Sequence, residues 1–201
     1  MSGQYFEPDP IAASQSRTIT VPLPSGSVDL LTDRGVFSPQ RLDTGTSVLL
    51  RGLGDLSALP DLPIVDLGCG YGPIVCELAQ AYPDREFWAV DVNRRARELC
   101  AENVANLGFN DRVRVLEPEE IPTEKIAGVI SNPPIRIGKS ALHELLECWL
   151  TAMDSEGESW LVVQKHLGAD SLTSWLTDQG WPTTKESSKK GFRVLRVSST
   201  G

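Results

Sequence analysis

The sequence predicts an α/β protein built on a mostly parallel sheet with helices on both faces and a β-hairpin near each end of the chain. Three observations predict it. From Pro63 onward, short apolar runs alternate with helical stretches, the pattern of a parallel sheet joined by crossovers. Two of those runs end in a carboxylate, Asp66 and Asp91, and the first opens directly into a glycine-rich turn. The last two extended segments are separated only by Lys189-Lys190-Gly191, so they form a hairpin that places one antiparallel strand in the sheet.

Taken in order, Thr18 to Val21 alternates polar and apolar, Pro24-Ser25-Gly26 turns, and Ser27 to Leu31 is extended again, which predicts an N-terminal hairpin. Residues 34 to 46 read as a loop leading into a short helix near Ser47 to Arg51, and Gly52 to Leu62 as a linker. The core then predicts a strand at Ile64 to Asp66, a helix from Ile74 to Tyr82 stopped by Pro83-Asp84, and a strand from Glu86 to Val90. A helix from Arg94 to Leu107 is closed by Gly108, and strands follow at Arg112 to Leu116 and Ile126 to Ser131. A helix from Ala141 to Met153, a strand from Ser159 to Val163 and a helix from Ala169 to Asp178 closed by Gly180 complete the alternation. Pro182 to Ser187 and Phe192 to Val197 make the terminal hairpin, and Ser198-Ser199-Thr200 a frayed tail. Residues 1–33 are expected to form an N-terminal extension and residues 34–201 the core, as one domain overall.

Composition sets outer bounds. The chain has 201 residues, 40% hydrophobic and 23% charged, which suits one ordinary core. No apolar run approaches the roughly 18 residues of a membrane span, and the N-terminus has neither the basic start nor the apolar middle of a signal peptide. The expected location is cytoplasmic, away from membranes. Cys69, Cys76, Cys100 and Cys148 have no metal-ligand spacing and read as reduced, mostly buried thiols; with only His143 and His166 besides, no metal is expected. A net charge of −8 argues against gripping nucleic acid by bulk charge, but leaves room for a local basic face.

Asp66-Leu67-Gly68-Cys69-Gly70-Tyr71-Gly72 carries most of the information. Glycines let the backbone turn sharply and approach a ligand, and the following helix offers free N–H groups at its positive end. The spacing is D-x-G-x-G-x-G. Pro73 stands where a dinucleotide site needs its third glycine, which disfavours a nicotinamide-dependent oxidoreductase. Asp66 would repel a pyrophosphate and favour an ammonium, directly or through water. Asp91, nineteen positions after Gly72, can accept hydrogen bonds from both hydroxyls of a ribose; the plainer alternative is a cap on the helix at Arg94. Val92 and Asn93 continue that turn. Glu117, ending the third core strand, can face an adenine amino group or be one acid of the run Glu117-Pro118-Glu119-Glu120.

Ile130-Ser131-Asn132-Pro133-Pro134-Ile135 closes the fourth core strand. The prolines stiffen the loop and bias Asn132 toward an extended backbone. It presents two acceptors, the Asn132 side chain and the Pro133 carbonyl. Acceptors that bind both hydrogens of an amino group at tetrahedral angles favour a pyramidal nitrogen, with its lone pair free to attack an electrophilic methyl. A plain turn after a strand is the alternative.

Together these residues resemble the amino methyltransferases with an Asn-Pro-Pro-aromatic motif, and among them the "methyltransferase small" family, similar to ribosomal small-subunit RNA (guanine-N2)-methyltransferases. The resemblance runs from about Thr32. It includes Gly35-Val36-Phe37-Ser38 with Leu42-Asp43-Thr44-Gly45-Thr46, where Phe37 and Thr46 are expected along the cofactor, and Asn132-Pro133-Pro134-Ile135-Arg136-Ile137-Gly138-Lys139. It also includes Gln164-Lys165, Gly168-Ala169 and Lys190-Gly191-Phe192-Arg193-Val194-Leu195. It implies a Rossmann-like seven-stranded sheet and S-adenosylmethionine as methyl donor. Asp66, Gly68, Cys69, Gly70, Gly72, Asp91, Val92, Asn93, Glu117 and Asn132 would serve the cofactor. Asn132, Pro133, Pro134 and Ile135 would form the catalytic loop, and a guanine N2 of ribosomal RNA would be the acceptor. Ile135 departs from the family's aromatic residue, which weakens base stacking there, and the second, N-terminal copy of the domain found in larger relatives is absent from this sequence.

Carboxyl ends of parallel strands share one sheet edge. Arg136, Lys139, Lys165, Lys189, Lys190 and Arg193 therefore gather around the Asn-Pro-Pro loop as a candidate contact for ribosomal RNA or a ribosomal particle, unless they are merely a solvated cluster. His166 is a weaker candidate base. Methylation of a protein glutamine amide uses the same loop chemistry and is disfavoured by Ile135. A non-catalytic cofactor-binding module in RNA assembly is disfavoured by two intact motifs. The chain is expected to be a monomer or a homodimer.

Overall fold

The computed structural model describes residues 14–120 and 124–199; the first thirteen residues, the end from Thr200 and the side chain of Arg136 lie outside that description. The expectations placed on the extreme N-terminus and on the Arg136 side chain fall there.

Strands β1 (Arg17–Leu23) and β2 (Gly26–Thr32) pair antiparallel as a separate two-stranded sheet. Helix α1 (Thr44–Gly52) starts earlier than the apolar pattern suggests, because Asp43 caps it by accepting the Thr46 N–H at 3.0 Å. The linker that follows is tied down: a short 3-10 turn buries Leu56, and Arg85 donates to the carbonyls of Leu59 and Pro60 at 2.6 and 2.7 Å.

The main sheet contains β3 (Ile64–Leu67), β4 (Phe87–Val90), β5 (Val113–Leu116), β6 (Gly128–Ser131), β7 (Glu158–Gln164), β8 (Thr183–Lys189) and β9 (Phe192–Ser198). Their order is β5-β4-β3-β6-β7-β9-β8, and β9 alone runs against the others. The Rossmann-like sheet, its hairpin and its single antiparallel strand are all as the sequence predicts.

Side chains alternate across the strands, so each strand feeds two apolar layers. Ile64, Phe87, Ala89, Ile130, Trp160 and Val162 pack with α1, α2 (Pro73–Ala81), α3 (Arg94–Asn106) and the N-terminal hairpin. Val65, Leu67, Trp88, Val90, Val129 and Leu161 pack with α4 (Lys139–Thr151) and α5 (Ala169–Asp178). The hairpin is fastened to α2 by polar contacts: Ser25 Oγ donates to Glu77 at 2.7 Å and Gln80 donates to the Ser25 carbonyl at 2.7 Å. No helix among the described residues is long and apolar enough to cross a membrane.

Candidate active site

The chain leaves β3 toward β4 and β5 on one side, then returns to β6 and continues outward on the other. The junction of β3 and β6 is thus the switch point of the sheet, where open α/β folds bind ligands at the strands' carboxyl ends. Leu67 stands opposite Ser131, and the Ser131 hydroxyl donates to the Leu67 carbonyl at 2.6 Å. The glycine turn and the Asn-Pro-Pro loop therefore leave neighbouring strands at the same level. They open on one cavity of about 610 Å³, within the usual range for small-molecule sites.

Gly68, Gly70 and Gly72 all have positive φ, at 79°, 56° and 95°, which is why this turn takes glycine at alternate positions. A Cβ on Gly70 would meet nothing within 4 Å, leaving an open cradle at the apex. The turn is fixed from outside. Gly68 and Cys69 donate to the Val90 carbonyl, and Asn103 donates to the carbonyls of Tyr71 and Leu31 at 2.8 and 2.9 Å.

Asp91 lines the cavity and accepts from the Gly70 N–H and the Asn93 N–H, each at 2.8 Å. Burial raises its pKa, opposed by those two bonds and by the Arg97 charge. Asn93 caps α3 by accepting from Ala96 and donates to the Gly35 carbonyl at 3.0 Å, holding the segment that carries Phe37 against the cavity. Asp66 lies beneath the turn rather than on the cavity wall. One oxygen accepts the Val75 N–H at 3.0 Å in the first turn of α2, and the other has no hydrogen-bond partner. Complete burial pushes its carboxyl up to about 8, aided by the Asp91 charge and opposed by the Val75 bond.

Asn132 is held from the far side of the cavity. Its amide nitrogen donates to Asp43 Oδ2 at 2.9 Å and to Thr46 Oγ1 at 3.0 Å. Gly45 makes room for this arrangement, since a Cβ there would lie 2.9 Å from the Asp43 carboxylate and 3.0 Å from the Phe192 ring. The Pro133 carbonyl accepts the Ile135 N–H at 2.8 Å, which curls the loop, and retains a second lone pair. Tyr71, buried in the cavity wall, has a hydroxyl without a hydrogen-bond partner; burial and the Asp43 charge hold its pKa above the usual range. Cys69 also lines the cavity. Its hydrogen bond with Cys100 and its burial keep the thiol protonated, so it is an inert wall rather than a nucleophile.

Of the residues singled out in the sequence, Phe37, Thr46, Gly68, Cys69, Gly70, Asp91, Val92, Asn93, Asn132, Pro133, Pro134 and Ile135 line this one cavity. Gly72 and Glu117 do not: Gly72 turns into α2, and Glu117 pairs with Arg97 while its neighbours Pro118 and Glu119 face the cavity. Asp43, Tyr71, Gln164, Leu167 and Phe192 also line it. Of these, Asp43, Tyr71, Gln164 and Phe192 lay inside the motifs quoted from the sequence, without an assigned role there. Lys165, Lys189 and Lys190 are exposed at the carboxyl edge, where Gln164 and Lys189 both stand opposite Phe192; exposed Lys139 begins α4 beyond β6. Arg193 shares this edge but is engaged in an ion pair with Asp170 of α5. Among the described residues, no group of three or more His, Cys, Asp or Glu side chains is placed to hold a metal ion.

The model of the methyltransferase small domain family matches residues 27–196. The uncharacterised Bacillus subtilis protein YbxB is 31% identical over 98% of both chains. The ribosomal RNA small subunit methyltransferase C of Shewanella baltica is 32% identical over 72% of this chain and 42% of its own, so the chain spans about two fifths of that relative's length. Among solved structures, a T. thermophilus 16S rRNA N2 methyltransferase in complex with AdoMet and guanosine superposes with a TM-score of 0.76. It is 16% identical, over 94% of this chain and 52% of that one, a likeness of fold. The chain belongs to the methyltransferase small domain family and is an S-adenosylmethionine-dependent methyltransferase.

Proposed function

We propose that this methyltransferase acts on an amino nitrogen, and that its acceptor is the exocyclic N2 of a guanine in ribosomal RNA, naked or within a ribosomal particle. The observation that carries the reading is that Asn132 and the glycine turn open on the same cavity from adjacent, in-register strands.

The wall of the cavity fits the cofactor. The Gly70 cradle admits close approach, and Asp91 keeps a lone pair on each oxygen for ribose hydroxyls. When bound, S-adenosylmethionine supplies an electrophilic methyl group. The protein's part is positioning. Asn132 Oδ1 and the Pro133 carbonyl accept the two N–H bonds of the amino group, which turns its lone pair out of conjugation. No strong base is needed beforehand, because the nitrogen becomes acidic only after alkylation. Ile135, Ile137 and Leu167 offer an apolar wall for a flat ring, and the lysines at the carboxyl edge offer contacts for phosphates.

The test is transfer of a radiolabelled methyl group from S-adenosylmethionine to total RNA and to total protein, with nucleoside analysis of the labelled RNA. Label in N2-methylguanosine is the expected result. Label in protein glutamine, or in neither pool, would overturn it.

A further inference from the structure

We infer that Asp43 and Thr46 are positioning residues that lock the Asn132 side chain with its oxygen toward the substrate. The inference rests on the proposed amino-nitrogen chemistry and extends it to two residues outside the Asn-Pro-Pro loop.

An asparagine amide has two faces, one donating and one accepting, and rotation by 180° exchanges them. Substrate N–H groups need the accepting face. The Asp43 carboxylate can only accept, so the atom of Asn132 that stands 2.9 Å from it must be the NH2 group. Thr46 Oγ1 takes a second contact at 3.0 Å from the same nitrogen. Both amide hydrogens are thereby engaged, and the flipped rotamer would set two oxygens against each other. Oδ1 remains as the acceptor. The charge on Asp43 also polarises the amide and makes Oδ1 a stronger acceptor.

Asp43 itself is held. The same Oδ2 accepts the Thr46 N–H at 3.0 Å as the cap of α1, and the missing side chain at Gly45 leaves it space beside the Phe192 ring. The Leu42-Asp43-Thr44-Gly45-Thr46 segment is thus a bracket whose cap residue reaches across to a loop 89 residues away.

Asp43→Ser separates the two roles of this side chain. Serine remains a good helix cap but is too short to reach Asn132. Thr46→Val removes the second contact in a side chain of the same shape. In the double variant, kcat for methyl transfer to RNA, measured at saturating S-adenosylmethionine, should fall roughly 100-fold, as for a misplaced catalytic group. Asp43→Asn, whose oxygen can keep both contacts, should recover most of the rate. A second measurement uses no acceptor: the Asn132 side-chain NH2 signals should be protected from solvent exchange in the parent protein and lose that protection in the double variant. Unchanged kcat, unchanged exchange, or equal losses in Asp43→Asn and Asp43→Ser would each overturn the inference. If the parent protein methylates neither RNA nor protein, the acceptor reading fails, and the exchange measurement still decides the role of Asp43.

Discussion

Gly70 and Asp91 stand 21 residues apart in the chain, and the backbone N–H of the first donates to the carboxylate of the second at 2.8 Å. The acidic end of β4 thereby holds the apex of the turn that follows β3. Its other oxygen orders the start of α3 through the Asn93 N–H. One side chain shapes the cavity from two directions.

Asp91→Ala should therefore weaken S-adenosylmethionine binding by roughly 100-fold, since it removes charged hydrogen bonds to the ligand and releases the turn. Asp91→Asn should lose less. Titration calorimetry measures both, and parent-like affinity in Asp91→Ala would contradict the assignment.

The glycines of the turn should respond differently to alanine. At Gly72, φ is 95° and a Cβ would lie 2.9 Å from Cys100 Sγ, so Gly72→Ala combines backbone strain with crowding and should cost about 2–3 kcal/mol of stability. At Gly70 a Cβ meets nothing within 4 Å; Gly70→Ala should cost about 1 kcal/mol and act mainly on cofactor affinity. Urea unfolding with calorimetry separates the two. Equal destabilisation would show that the turn is not packed as described.

Stability should depend on pH through Asp66. Its carboxyl is raised to about 8 in the folded protein, chiefly by burial, against 3.8 for an unperturbed aspartate. The folded state then holds a proton that the unfolded state has released. The contribution of this one group to stability is greatest below pH 4, falls as pH rises from about 4 to 8, and levels beyond; its slope in that window is at most about 1.4 kcal/mol per pH unit. Asp66→Asn should flatten this dependence. A thermal-unfolding series from pH 5 to pH 9 that runs parallel for the two proteins would refute it.

Lys189→Glu combined with Lys190→Glu should weaken binding to RNA and lower the salt dependence by about one unit per lost phosphate contact, with cofactor affinity kept. Filter binding across a salt series reads both. Unchanged RNA affinity would leave these lysines as solvated charge.

Much of the site was legible because its motifs are local. The alternate glycines announce a turn of positive φ, Pro133 and Pro134 a rigid loop, and the two acidic strand ends a ligand edge, each readable within a few residues. The short strands and amphipathic helices follow from their periodicity in the same way. Glu117 shows the limit. It directly follows β5 where a ligand contact is expected, yet Arg97 claims its carboxylate across 20 residues. Arg193 likewise falls at the expected edge, but Asp170 neutralises it from α5.

By itself, then, the sequence determined the alternation of strands and helices, the glycine turn and the asparagine loop, because backbone conformation answers to neighbouring residues. The tertiary structure alone decided that Asp43 meets Asn132, that Asp66 lies under the cavity rather than on its wall, and which basic side chains are paired. Those outcomes depend on sheet order and register, which bring together side chains that no local pattern relates.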